Sequence, residues 1–238
     1  MLKKLLSYFS IFEICLWCFS ILLTVISFTV FDRENYIMLI ATIIGTTYLI
    51  FNSKGNPIGQ VLLIIFSILY GIISYNFSYY GEMVTYIGMS TPMAVLALIA
   101  WLRNPYNGNR SEVQINSLKK QEIVFMITLT AVVTLIFYFI LKYFQTANLI
   151  LSTISVSTSF LAVYLTFRRS RYFTLAYAAN DIILILLWIL ASSTDISYMA
   201  VTICFIIFLL NDIYAYINWT KMYKKQQANF IMINSDFL

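Results

Sequence analysis

The sequence predicts an all-α polytopic membrane protein with eight transmembrane helices. Of its 238 residues, 61% are apolar and 11% are charged, whereas soluble domains carry about 25% charged residues. Apolar segments of roughly 18 to 25 residues recur along the chain, which is the length that an α-helix needs to cross about 30 Å of hydrocarbon. Apart from Lys142 at the end of one segment, the basic residues stand between these segments, as expected of loops at the two membrane surfaces.

Eight spans are predicted from the apolar segments. Their approximate limits are 12–31, 36–52, 57–77, 83–102, 123–143, 147–167, 172–192 and 196–219. The first span follows Lys3 and Lys4, as a secretory signal would, but its apolar run is longer than a signal core and lacks a small-residue cleavage pattern. We therefore interpret it as a retained helix. The residues after the last span, 223–238, are too few for a soluble domain and are interpreted as a tail.

The positions of Lys and Arg predict the orientation. If the N-terminus is cytoplasmic, the opposite side receives only Arg33 and Lys142, which is a strong positive-inside bias with both termini in the cytoplasm. The net charge of +5 is explained by basic residues that lie at the membrane boundary. No nucleic-acid partner is therefore indicated. The thirteen basic residues on the cytoplasmic side are Lys3, Lys4, Lys54, Arg103, Arg110, Lys119, Lys120, Arg168, Arg169, Arg171, Lys221, Lys224 and Lys225.

Spans two to four repeat as spans six to eight. At an offset of 118 residues, Tyr70 pairs with Trp188 and Trp101 pairs with Trp219. Because a single span separates the two triplets, both enter the membrane in the same direction, which defines a parallel repeat like that of the sugar-transporting SWEET fold. The predicted 1+3+1+3 organisation comprises an N-terminal extra helix (1–34), a first repeat (35–103), a cytoplasmic loop and linker helix (104–145), a second repeat (146–222) and a cytoplasmic tail (223–238).

Two Asn-Asp pairs lie deep in apolar spans. At 1.5 Å per residue, Asp181 lies about 15 Å and Asp212 about 13 Å from the basic face, close to the bilayer midplane. An ionisable residue there costs about 2.5–3.5 kcal/mol or more, and is normally turned inward and used. The alternative is that the pairs only join helices by hydrogen bonds. Two pairs at equal depth favour a binding site.

The predicted site combines carboxylates, amides and aromatic rings. Within each pair one member can face a cavity while the other braces a neighbouring helix, because adjacent positions differ by about 100°. Such a site suits a planar, polar ligand, either neutral or cationic, with rings stacking on its plane. The second-repeat candidates are Tyr177, Asn180, Asp181, Trp188, Asn211, Asp212 and Tyr216, and the first-repeat candidates are Gln60, Ser67, Tyr70, Thr85 and Tyr86.

Three stretches resemble the PnuC family of vitamin transporters in its Gram-positive bacterial form. They are "YYGEMVTYIGMSTPMAVLALIAWLRNP", "FLAVYLTFRRSRYFTLAYAANDIILILLWILAS" and "FIIFLLNDIYAYINW". The resemblance implies a SWEET-like fold and a homotrimer in the bacterial plasma membrane. It also implies uptake of nicotinamide riboside for NAD biosynthesis, by facilitated diffusion with trapping by intracellular phosphorylation. Many members carry tryptophans before the position of Asn180, where this chain reads "RYFTLAYAAN", so thiamine or riboflavin stays an alternative substrate.

Other classes of function are less favoured by the residues. The chain contains no His, no Cys in a polar setting and no Gly-rich phosphate loop, so we expect neither an enzyme nor a metal or cofactor site. A proton-coupled transporter that uses Asp181 or Asp212 stays open, as does a non-transporting scaffold or sensor.

Overall fold

The computed structural model describes residues 8–76 and 79–235. Within them, eight helices are long and apolar enough to cross a membrane, as predicted. We label them α1 (Ile11–Phe31), α2 (Tyr36–Ser53), α3 (Ile58–Asn76), α4 (Tyr80–Leu102), α5 (Lys120–Tyr143), α6 (Leu149–Phe167), α7 (Phe173–Ser192) and α8 (Met199–Ser235).

Polar side chains at the membrane surface start several of these helices. Ser10 accepts a hydrogen bond from the Glu13 N–H, and the Glu13 carboxylate accepts one from the Ser10 N–H, which forms a capping box at the start of α1. Asn35 caps α2 by accepting from the Met38 N–H. These contacts satisfy N–H groups that have no partner within the helix.

Helix α4 contains a π-helical turn at Tyr86–Ser90. Pro92 follows it in the second position of the next α-helical segment, and a proline has no N–H for the regular helical bond. The Thr91 hydroxyl donates to the Tyr86 carbonyl at 2.9 Å. Single π turns are frequent at functional sites, and this one turns Tyr86 and Ser90 toward the centre of the molecule.

Six helices form the core and two lie outside it. Helix α3 packs against α2 and α4, helix α7 packs against α6 and α8, and the two triplets meet where α2 contacts α8 and α4 contacts α6. Helix α1 contacts α2 and α8, and α5 contacts mainly α6. Only 17% of the apolar window of α1 and 6% of that of α5 are buried, compared with 33–56% for the other six. By burial, two helices are therefore peripheral and six form the core.

Residues related by the predicted repeat meet each other across the centre. The Trp188 indole N–H donates to the Tyr70 hydroxyl at 2.9 Å, and the rings of Trp101 and Trp219 lie 5.5 Å apart. Equivalent residues contact each other only when they lie beside the axis that relates them. The contacts therefore agree with an axis that passes between the two triplets.

The segment between α4 and α5 contains a β-hairpin that the sequence analysis did not predict. Strands β1 (Pro105–Tyr106) and β2 (Asn109–Val113) are antiparallel. Asn107 and Gly108 form the turn with φ of 49° and 76°, the conformation that an Asn-Gly pair favours in two-residue hairpins.

Helix α8 continues to Ser235, through most of the segment that we interpreted as a tail (223–238). Gln226 explains the extension. Its carbonyl accepts from the Ile115 N–H at 2.9 Å, and its amide donates to the Val113 carbonyl at 3.1 Å. The end of α8 is thereby attached to the hairpin, whereas an isolated polar helix would fray.

Candidate functional site

An enclosed cavity of about 20 Å³ lies between the six core helices, and each of them contributes to its wall. A cavity of this size holds about one water molecule. Among the candidate residues from the sequence, Ser67, Tyr86, Tyr177, Asn180 and Asp181 line it. The structure therefore joins first-repeat and second-repeat candidates in one place.

The Asn180 carbonyl accepts hydrogen bonds from three hydroxyl groups of α6. The donors are Ser155 at 3.2 Å, Thr158 at 2.9 Å and Ser159 at 3.1 Å. Asn180 itself is 3% exposed. Because its oxygen is occupied, the NH₂ group is the part of the amide left for a ligand in the cavity.

Asp181 and Asp212 meet at the contact between α7 and α8. Their carboxyl groups lie next to each other, and two buried carboxyl groups at close range are expected to share one proton, which leaves the pair with about one negative charge. Oδ2 of Asp181 and Oδ1 of Asp212 receive no hydrogen bond from a donor among the described residues. The buried Ser67 hydroxyl on the cavity wall is likewise unpartnered within that part of the chain. Unpartnered buried polar atoms are expected where a ligand completes the hydrogen bonding.

Asn211, Gln60 and Tyr216 are among the candidates that lie outside the cavity wall. Asn211 donates to the Ser20 hydroxyl of α1 at 3.1 Å and to the Ile207 carbonyl at 2.8 Å. Gln60 donates to the Asn52 side chain at 2.7 Å, near the basic end of α2. Tyr216 is half-buried and lies close to Arg171. The structure thus places Asn211 and Gln60 in helix–helix contacts and Tyr216 toward the basic face.

One end of the cavity is closed by a cluster on the basic side, formed by Trp101, Phe173 and Trp219. All three are fully buried. The Trp101 indole donates to the main-chain carbonyl of Thr166, and the Trp219 indole to that of Asn52, each at 2.9 Å. Each tryptophan therefore reaches from its own triplet to the other, and the cluster joins the two triplets on that side.

The other end is closed by the candidates Tyr70 and Trp188 with Tyr79 and Tyr198. The ring centroids of Tyr79 and Trp188 lie 4.6 Å apart, and those of Trp188 and Tyr198 lie 5.7 Å apart. Tyr70 in turn contacts Tyr86 of the cavity wall at 4.4 Å. Tyr70 and Trp188 thus close the cavity rather than line it. Thr85 also lies outside the wall, with its hydroxyl donating to the Gly81 carbonyl.

Sequence reasoning missed half of the cavity wall. The hydroxyl-rich run "STISVSTSF" of α6 was a usable signal, since such a density of Ser and Thr is unusual in an apolar span. Tyr48 and the phenylalanines carried no signal, because an aromatic residue in an apolar span reads the same whether it packs or lines a cavity. The missed residues are Tyr48, Leu63, Phe66, Ser90, Ser159 and Phe205.

The cavity wall is both polar and aromatic in composition. Among the described residues, no group of three or more Cys, Asp or Glu side chains could hold a metal ion. The wall instead offers hydroxyl, amide and carboxyl groups between aromatic rings. Such an arrangement can bind a small planar molecule that has polar edges.

Comparison with known proteins identifies relatives over most of the chain. The family model described as "Nicotinamide mononucleotide transporter" matches residues 35–221. The nicotinamide riboside transporter PnuC of Neisseria mucosa is 24% identical over 203 residues, which cover 84% of this chain and 77% of that protein. The nicotinamide riboside transporter PnuC of Haemophilus influenzae is 25% identical over 193 residues, which cover 81% and 82%.

A solved structure shares the fold. The crystal structure of the vitamin B3 transporter PnuC superposes with a TM-score of 0.79 over 92% of this chain and 94% of that chain, at 22% sequence identity. The eight-helix membrane fold predicted from the sequence is therefore confirmed, and so is the resemblance to PnuC. Since the family model covers well over half of the sequence, the chain belongs to the nicotinamide mononucleotide transporter family.

Proposed function

We propose that the protein moves nicotinamide riboside across the bacterial plasma membrane by facilitated diffusion, and that phosphorylation inside the cell traps the substrate. Both curated relatives described above are named as nicotinamide riboside transporters. The observation that carries the proposal is the position of Asn180 and Asp181 in a cavity walled by aromatic rings at the centre of the two triplets.

The chemistry of the cavity matches that of this substrate. Nicotinamide riboside has a permanently charged pyridinium ring, a carboxamide and ribose hydroxyls. The single negative charge of the Asp181–Asp212 pair would offset the ring charge, and the Asn180 NH₂ group would donate to a substrate oxygen. Tyr86 and Tyr177 offer ring faces, which attract a flat cation.

Transport requires the two closed ends to open in turn. The cavity of about 20 Å³ is far smaller than the roughly 300 Å³ typical of a pocket for a small ligand. The core must therefore expand around the substrate. Rocking of one triplet against the other would open the basic-side cluster at Trp101 and Trp219, or the opposite cluster at Tyr70 and Trp188.

We also propose that both termini are cytoplasmic and that the protein is a homotrimer. The orientation rests on the positive-inside bias of the basic residues, and the trimer rests on the resemblance to PnuC. A cysteine placed at Asn109 in the hairpin, with Cys15, Cys18 and Cys204 replaced, should resist impermeant thiol reagents in intact cells. Labelling from outside would show that the protein has the opposite orientation.

A proton-coupled mechanism is the second candidate function. The shared proton between Asp181 and Asp212 favours it, because a substrate that carries a positive charge could displace that proton when it binds. Thiamine and riboflavin stay alternative substrates, since both present flat heteroaromatic rings to the same wall.

Uptake by proteoliposomes tests these alternatives. The purified protein should equilibrate labelled nicotinamide riboside across the membrane, and accumulation above equilibrium should require an enclosed kinase with ATP. Accumulation driven by an imposed pH gradient without the kinase would instead establish proton coupling. Competition by a panel of unlabelled vitamins identifies the substrate, and stronger competition by thiamine or riboflavin would overturn the assignment.

A further inference from the structure

An open groove of about 510 Å³ lies between α5 and α6, away from the central cavity. Ile127, Ala131 and Leu135 form one wall and Leu161 belongs to the other. Deep in the groove, the hydroxyls of Thr134 and Ser157 are hydrogen-bonded to each other at 2.8 Å. Because these hydroxyls satisfy each other, the groove presents an apolar surface at the depth of the hydrocarbon.

Basic residues lie directly above this groove on both helices. Lys120 stands seven residues before Ile127 on α5, and Arg168 stands seven residues after Leu161, just beyond the end of α6. Seven residues make about two helical turns, so each basic residue lies on the groove-facing side of its helix, about 10 Å above the groove. The groove therefore runs from the hydrocarbon to a cationic site at the membrane surface.

The positive charge at this surface is only partly compensated. Arg168 forms an ion pair with Glu122 of α5, which joins the two helices at the top of the groove. In the described part of the chain, Lys119, Lys120 and Arg169 have no carboxylate within ion-pair distance. Arg169 is half-buried, and burial together with the neighbouring Arg168 lowers the pKa of its guanidinium. An anion bound here would relieve both effects.

We infer that the groove binds an anionic phospholipid, with one acyl chain between α5 and α6 and the headgroup phosphate between Lys120 and Arg169. An apolar groove below a phosphate-binding surface matches the two ends of such a lipid. The distance of about 10 Å between them leaves room for the glycerol and ester groups at the membrane interface. Arg and Lys are the side chains that bind phosphate oxygens best.

A helix from a second copy of the chain could also fill the groove. It would cover the apolar walls but leave Lys119, Lys120 and Arg169 without a counter-charge, because basic residues outnumber acidic ones on that face. The charge therefore favours a lipid over a protein partner. The experiment below separates the two occupants.

Native mass spectrometry of the purified full chain tests the inference. The protein is incubated with an equimolar mixture of phosphatidylglycerol and phosphatidylcholine, and the retained lipids are identified. We expect phosphatidylglycerol to be retained preferentially. The variant with Lys120→Gln and Arg169→Gln should lose this preference, by about fivefold for each charge removed, since one basic residue near anionic lipid contributes about that factor.

The matched control removes the same charge elsewhere on the same face. Lys221 and Lys225 lie on one side of α8, turned by roughly 160° from Tyr223, and Tyr223 is the residue through which α8 contacts Ser117 next to α5. Replacing both by Gln should leave lipid retention unchanged. Equal loss in the two double variants would show that the preference follows net charge alone, and would overturn the site.

Filling the groove gives an independent test. Ala131→Phe places a ring in the groove and should lower retention of phosphatidylglycerol, whereas Val132→Phe, at an exposed position outside the groove wall, should not. A change in the oligomeric mass of Ala131→Phe with lipid retention unchanged would show that a second copy occupies the groove, and the lipid assignment would be wrong. Unchanged retention and unchanged mass would also contradict it.

Discussion

The two Asn-Asp pairs have the same dipeptide but different surroundings. Asn180 lines the central cavity, with its carbonyl held by three hydroxyls of α6. Asn211 points away from the cavity and joins α8 to Ser20 of α1. The carboxyl groups of the two pairs meet each other between α7 and α8.

This difference follows from helix geometry. Adjacent residues project about 100° apart, so an Asp that faces the neighbouring helix forces its Asn partner to one side. On α7 that side holds α6 and the cavity, and on α8 it holds the outer helix α1. The same dipeptide therefore serves a binding site in one triplet and a helix contact in the other.

The largest expected effect is the loss of substrate binding in Asn180→Ala. The change removes the NH₂ donor and leaves the buried hydroxyls of Ser155 and Ser159 without their acceptor, and each lost buried partner costs about 1–3 kcal/mol. We expect nicotinamide riboside to bind at least about tenfold more weakly, which corresponds to 1.4 kcal/mol. Isothermal titration calorimetry of the purified variant measures it. A folded variant that binds like the parent would remove Asn180 from the site.

The second-largest effect concerns the negative charge of Asp181 and Asp212, and which of the two carboxyl groups faces the substrate. Asp181→Asn leaves the negative charge on Asp212, which lies outside the cavity wall, so binding should weaken by about tenfold. Asp212→Asn leaves the charge on Asp181, which faces the ligand, so binding should stay within about threefold of the parent. The same titration compares both variants. The opposite order would place Asp212, and not Asp181, against the substrate.

Asn211→Ala should reduce stability rather than binding. It removes the hydrogen bond between α8 and α1 and should lower the free energy of unfolding by about 1 kcal/mol, with substrate affinity nearly unchanged. The thermal unfolding midpoint of the detergent-solubilised protein reports this effect. Ser20→Ala, which removes the partner hydroxyl, should produce a similar shift. Weakened binding at unchanged stability would mean that the second pair also serves the site.

The smallest expected effect concerns a single hydroxyl that holds Asn180. Ser155→Ala leaves two of the three donors in place. We therefore expect the binding free energy to weaken by about 0.5 kcal/mol, which is roughly a twofold loss of affinity. Replacing Ser155, Thr158 and Ser159 together should approach the effect of Asn180→Ala, because the amide would then lose its orientation. Binding that stays unchanged in the triple variant would show that the hydroxyls do not position this amide.

The sequence by itself determined the eight spans, the basic face and the presence of polar groups at the membrane centre. These properties depend on the length of apolar runs and on the cost of burying charge, which act on each segment separately. The pairing of Tyr70 with Trp188 and of Trp101 with Trp219 followed from the repeat alone. Their contacts in the structure agree with it.

Only the tertiary structure decided which polar side chains share a cavity. The rotation of α8 that turns Asn211 toward α1, and the attachment of Gln226 that extends α8 to Ser235, depend on which neighbour each helix packs against. Close packing selects one rotation for a helix only when all of its neighbours are in place. For that reason an apolar span with an Asn-Asp pair indicates a candidate site, while the contacts of its neighbours determine which residue belongs to it.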